Sequence, residues 1–92
     1  MPYAVVLQVK IDPGLDERNR QSMLEQIIVP EVTGLPGFQL ASWLNDGQGT
    51  GVCLFEFDAE ENARAAMAAL TPPGGPVAIG SGVFAIELEA AR

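Results

Sequence analysis

Histidine is absent from this chain. The side chain that most often serves as a general base near neutral pH is therefore unavailable to it. Cysteine occurs once, at Cys53, which excludes an internal disulfide. Its place inside a strand pattern suits a buried, inert thiol. Without histidine or a second cysteine, transition-metal binding lacks its usual ligands. Basic residues are also scarce, with 5 Lys and Arg against 12 Asp and Glu and a formal net charge of -7. No basic patch is left to neutralise phosphates, so nucleic acid is not expected as a partner. No apolar run approaches the roughly 20 residues of a membrane span, and the opening Met1-Pro2-Tyr3 has no basic or apolar leader. A soluble cytoplasmic protein with no membrane partner is the expectation. Neither a composition shift nor an internal repeat divides the 92 residues. They read as one domain spanning 1–92.

What is abundant is apolar side chain. Hydrophobic residues make up 48% of the chain and charged residues only 18%. A domain this small exposes much of its surface, so the excess points to a subunit interface. Residues 3–11 alternate, with Tyr3, Val5, Leu7, Val9 and Ile11 on one side and Ala4, Val6, Gln8 and Lys10 on the other. Asp12-Pro13-Gly14 is a turn, and Asp16 suits the N-cap of a helix whose Met23, Leu24, Ile27 and Ile28 form one apolar stripe. Pro30 cannot donate to the carbonyl of Gln26, so the helix should end or kink there, with another turn through Val32 before Gly34.

Leu35-Pro36-Gly37-Phe38 suits a tight turn, Pro36 presetting the first central position and Gly37 allowing positive φ at the second. A second strand follows over 38–45, and strict alternation puts Phe38, Leu40 and Leu44 on one face and Gln39, Ala41, Trp43 and Asn45 on the other. Asn45-Asp46-Gly47 begins a glycine-rich hairpin into a third strand, 52–57, with Cys53, Phe55 and Phe57 opposite Val52, Leu54 and Glu56. Asp58 and Glu61 resemble a capping box, before a second helix carrying Ala63, Ala66, Met67 and Leu70 at helical spacing. Thr71 to Gly82 reads as a long connection, serving as a surface excursion or a lid. The last strand, 83–89, then aims Phe84, Ile86 and Leu88 one way and Val83, Ala85, Glu87 and Glu89 the other.

The order βαββαβ predicts an α+β, ferredoxin-like antiparallel sheet with both helices on one face. The nearly all-apolar strand faces belong under the helices. The other face, holding Val6, Trp43, Leu54 and Val83 among polar residues, is too apolar for a purely solvated surface. It is expected to meet the same face of a second subunit in a homodimer. Trp43 would fill that interface or stack on a planar ligand. Glu56, Gln8 and Lys10 are expected as neighbours, either as a plain Lys10–Glu56 cross-strand pair or with Glu56 as a buried base. The Gly47, Gly49 and Gly51 spacing joins two strands and opens no helix, so it suits a hairpin and not a phosphate loop. Asp58, Glu60 and Glu61 suit the dipole at a helix start without requiring a metal.

Several stretches together resemble the dimeric α+β barrel proteins, in particular the antibiotic-biosynthesis-monooxygenase-like group. They are the Val29-Pro30 helix end, the Leu35-Pro36-Gly37-Phe38 entry, the Trp43 strand with its glycine-rich hairpin, and Phe57-Asp58-Ala59-Glu60-Glu61-Asn62-Ala63-Arg64. The resemblance covers nearly the whole chain and implies two sheets facing one another, with a ligand cavity between helices and sheet in each subunit. Its carriers mark a scaffold, not a catalytic motif. The group includes cofactor-independent oxygenases of polycyclic aromatics and haem-degrading enzymes. Without a histidine, proximal histidine ligation of haem is excluded within this polypeptide, and no cofactor is expected. Oxygenase-like members carry an Asn and a Trp near the second helix plus a Tyr, whereas here Asn62 through Leu70 contains no Trp. Trp43, Asn45 and Tyr3 are of the same types in unmatched places. With Glu56 they are the candidate ligand-binding residues, and no catalytic role is carried onto them.

The leading expectation is a homodimeric α+β barrel holding a small apolar molecule between sheet and helices. The alternative is a cofactor-independent monooxygenase of an aromatic polyketide or quinone-like substrate, to which the protein contributes desolvation and orientation. A third reading is an interaction module whose partner is encoded elsewhere.

Overall fold

Residues 1–11, 14, 16–70 and 78–90 are described by a computed structural model. The Asp12-Pro13 turn and the 71–77 part of the long connection lie outside the described residues. The alternating first segment forms β1 (Tyr3–Lys10), an interior strand of a four-stranded antiparallel sheet. It pairs on one side with β3 (Thr50–Phe57) and on the other with β4 (Ala78–Ala85). With β2 (Phe38–Asn45) pairing on β3, the strand order is β2-β3-β1-β4, the ferredoxin-like arrangement. Among the described residues, no helix is long and apolar enough to cross a membrane.

The first helical rod starts where the sequence suggests. Asp16 caps α1 (Glu17–Met23) by accepting from the Asn19 amide at 2.8 Å. Pro30 does not end the helix. A π-helical turn over Leu24–Ile28, in which the Val29 amide bonds back to the carbonyl of Leu24, leads into α2 (Val29–Thr33) with Pro30 in its first turn. A proline is tolerated there because its missing N–H would lack a regular partner anyway. α3 (Glu60–Leu70) begins with Ala63 donating to the Ala59 carbonyl at 3.1 Å. Asp58 therefore stands before the helix, and its carboxylate accepts from Asn62 Nδ2 at 2.7 Å instead of forming the capping box with Glu61.

Both helical elements cover the same sheet face. Val5 and Leu7 of β1 and Phe55 and Phe57 of β3 pack with Val32 of α2 and with Ala63 and Ala66 of α3 in one buried cluster. The two alanines bring α3 close to the sheet. Each fully buried Phe or Val contributes about 1.5–3 kcal/mol by leaving water. Phe38 meets Phe57 edge to face, ring centroids 6.1 Å apart.

Strict alternation fails in β2, and the cause is a bulge. Phe38 pairs with Phe57, yet Leu40 pairs with the adjacent Glu56, so one extra residue enters β2 at Gln39. From there on every side chain changes face. Ala41 and Trp43 turn toward the helices, and Leu40 and Leu44 turn away. Trp43 therefore does not lie on the open face. Its ring packs edge to face on Phe55, centroids 5.5 Å apart.

The last strand is also displaced from its expected place. β4 begins at Ala78 and ends at Ala85, so Gly80, Ser81 and Gly82, read from composition as connection, are paired strand. The side of β1 away from β3 is their pairing partner, with Val6 opposite Gly82 and Leu7 opposite Ser81. This register puts Val83 and Ala85 on the helix side and Phe84 on the open side, the reverse of the expected faces. Beyond β4 the Ile86 amide still bonds the Pro2 carbonyl at 2.9 Å.

The hairpin between β2 and β3 is held by its own side chains. The Asp46 carboxylate accepts from the amides of Gln48 at 2.7 Å and Thr50 at 3.1 Å. These bonds, chiefly the first, hold its pKa below the ordinary carboxylate range. Because the folded value is lowered, the stabilisation is complete above the unfolded pKa and is lost as pH falls through the folded one. The expected result is faster amide exchange at Gln48 and Thr50 in acid, after correction for intrinsic rates. Asp46→Asn, which keeps an acceptor but does not titrate, is expected to abolish that pH dependence.

Candidate functional site

With the helices on one side, the other side of the sheet is built by alternate residues of all four strands. β1 supplies Ala4, Val6, Gln8 and Lys10, and β3 supplies Val52, Leu54 and Glu56 beside them. The bulge in β2 adds Leu40, Ser42 and Leu44, and the register of β4 adds Gly80, Gly82 and Phe84. The outcome is a face more apolar than alternation alone predicts. Leu40, Leu44 and Phe84 keep 49%, 54% and 56% of their surface exposed. A contiguous patch of this kind usually marks a binding surface.

The face is not flat. A concavity of about 310 Å³ opens over β3, β1 and β4, lined by Val6, Gln8, Val52, Gly80, Ser81 and Phe84. Glycine makes it. A Cβ at Gly82 would lie 2.8 Å from the Phe84 ring, and one at Gly80 would lie 3.3 Å from Oε1 of Gln8. The bare backbone thus lets the ring lean across the strand and leaves space beside it. The walls are apolar apart from the Gln8 carboxamide and the strand backbone at Gly80 and Ser81, Ser81 being level with Leu7 so that its side chain belongs to the helix side, and none of the lining side chains is charged. Such a surface suits a neutral, mostly apolar guest with one or two hydrogen-bonding groups.

The four residues singled out from sequence do not converge. Tyr3, Trp43 and Asn45 share the helix side and Glu56 lies on the open side. Tyr3 stands opposite Phe57 while Trp43 stands opposite Cys53, which separates them by about 13 Å along the strands. Asn45 is committed to the hairpin, its Oδ1 accepting from the Gly47 amide at 2.7 Å. Lys10 and Glu56 are not cross-strand partners, because Lys10 pairs with Thr50 and Glu56 with Ala4. The space expected between sheet and helices is occupied at its centre by the core cluster.

The Cys53 thiol has a raised pKa because burial penalises the thiolate, which suits an unreactive core residue. The Glu56 carboxyl is also raised, first by desolvation and then by the like charge of Glu89. Among the concavity residues, Val6, Gln8 and Val52 could be read onto the open face from alternation. Phe84 and Gly80 could not, since their face depends on the pairing of β4 with β1.

No protein-family model and no curated protein matches the chain. Among solved structures it is similar to the crystal structure of the heme-degrading protein Rv3592 from Mycobacterium tuberculosis, in a heme-free form with cleaved protein. The TM-score is 0.67 at 16% identity, over 99% of this chain and 100% of that one. At that identity the likeness establishes the fold alone. That fold is the one the sequence resemblance implies.

Proposed function

We propose that this chain is a cytoplasmic homodimer of the dimeric α+β barrel type that encloses a small, neutral, mostly apolar molecule between its two sheets. The observation that carries this reading is the open sheet face, where Leu40, Leu44 and Phe84 are about half exposed around an uncharged concavity. Four strands of eight residues give a face of about 26 by 19 Å, on the order of 500 Å² in plan. Two such faces in contact bury on the order of 1,000 Å², the lower bound of a specific interface. Closing them also converts an open hollow into a chamber sealed from water, where a modest apolar guest binds best. The similar solved protein is a heme-degrading one, and a small-molecule role on this fold agrees with that. Histidine-ligated haem is not the guest, because the chain has no histidine.

Native mass spectrometry of freshly purified protein tests the reading. A dimer of the 9.7 kDa chain carrying an added mass is the expected result. A bare dimer would overturn the retained ligand and leave the assembly standing, and a monomer would overturn both.

A further inference from the structure

We propose, on the footing of that homodimer, that Lys10 of each subunit pairs with the partner's Glu56, and that these two symmetric contacts set how the sheets stack. β1 then runs opposite to its own copy, about a two-fold axis that lies between the sheets and across the strands.

The reasoning starts from the distribution of charge on the open face. Its strands carry two described charges, Lys10 on β1 and Glu56 on β3. The open-face residues of β2 are Leu40, Ser42 and Leu44, and those described on β4 are Gly80, Gly82 and Phe84, all uncharged. Glu56 is level with Ala4 on β1, so the two charges lie about 20 Å apart at opposite ends of the sheet. Neither makes a hydrogen bond or ion pair among the described residues; the salt bridge found there joins Arg64 to Glu60. Glu89, from the segment after β4, adds a second negative charge near Glu56. At the Lys10 end, Asp46 spends its carboxylate on the amides of Gln48 and Thr50. The face is therefore polar along its strands, acidic at one end and basic at the other.

A pair of identical faces can stack with like ends or unlike ends together. Like ends would bring the acidic ends of both subunits into one partly buried layer, with no cation to balance them. Unlike ends place each Lys10 over an acidic end, twice by symmetry. Packed sheets lie about 10 Å apart, a gap that a lysine stem facing a glutamate crosses. The raised pKa of Glu56 agrees with a carboxylate that lacks its cation in the single subunit. The same rotation lays β4 over its copy, so the two concavities beside Gly80 and Phe84 open onto one another.

Charge swapping tests the pairing. Lys10→Glu, Glu56→Lys and the double variant would be compared with the unaltered protein by sedimentation equilibrium at low salt, with circular dichroism as the check on folding. Each single reversal is expected to raise the dimer dissociation constant about tenfold or more, and the double swap to return it to within about threefold. Single variants that dimerise normally, or a double swap that fails to recover, would overturn the pairing while the homodimer stands. A monomeric unaltered protein would instead overturn the homodimer.

Discussion

Leu40→Glu combined with Leu44→Glu is expected to convert the protein to a folded monomer. Both side chains lie on β2 beyond the bulge and face away from the helices, with about half their surface exposed in the single subunit. Replacing a leucine so placed disturbs the subunit's own core little, because surface changes are usually within about 0.5 kcal/mol. In the proposed stacked dimer the same positions would be covered, and each glutamate would be buried without a partner. A penalty of about 2–4 kcal/mol corresponds to roughly 30- to 1,000-fold weaker association, and symmetry applies it on both subunits. Light scattering coupled to size exclusion reads the mass, and unchanged far-ultraviolet circular dichroism reads the fold. Gln21→Glu, on the exposed side of α1, adds a charge away from the sheet and is expected to leave the mass unchanged. A double-leucine variant that stays dimeric would place the interface elsewhere.

Gly37→Ala is expected to give the largest loss of stability from the addition of one carbon. Gly37 adopts φ 76°, the left-handed region, in the turn where the Phe38 amide returns to the Leu35 carbonyl at 3.3 Å. It also packs against the entrance of α3. The Asp58 amide donates to its carbonyl at 2.9 Å, and an added Cβ would overlap Oδ1 of Asp58 and lie 2.5 Å from Nδ2 of Asn62. Those two groups form the 2.7 Å hydrogen bond that ties the strand end to the helix. Backbone strain and the displaced bond together are expected to cost about 2–4 kcal/mol. Gly47 separates the two causes, because it shares φ 76° but has nothing within 4 Å of its added Cβ. Gly47→Ala should therefore lose only the strain component, about 1 kcal/mol. Equal losses in urea denaturation would show that the contact with Asp58 and Asn62 carries no weight.

The sequence discloses local features reliably here and long-range ones poorly. The Asp16 cap and the Leu35-Pro36-Gly37-Phe38 turn depend on neighbours three residues away, and both form as expected. The two-sided character of β1 and β3 follows from alternation, which a regular strand preserves. The bulge at Gln39 has no such signature. It inserts one residue so that Phe38 and Trp43 both reach the core, which exchanges the faces of Leu40, Leu44, Ala41 and Trp43. Gly80-Ser81-Gly82 was masked in the same way, since its strand state comes from pairing with β1 and not from its own propensity. The Lys10–Glu56 pairing fails within a subunit for a related reason, because register is a property of two strands together. The open face and its apolar character were thus legible, while the residues that populate it depended on the fold.

The most direct test is whether the open face is covered in solution. Hydroxyl-radical footprinting of the intact protein reports the accessibility of individual side chains, and the variant with glutamate at positions 40 and 44 supplies the uncovered reference. Phe84 keeps 56% of its surface in the single subunit. In the unaltered protein it should be strongly protected, and in the double-leucine variant it should react at the rate of an exposed phenylalanine. Equal, rapid oxidation of Phe84 in both proteins would contradict a sheet closed by a second copy.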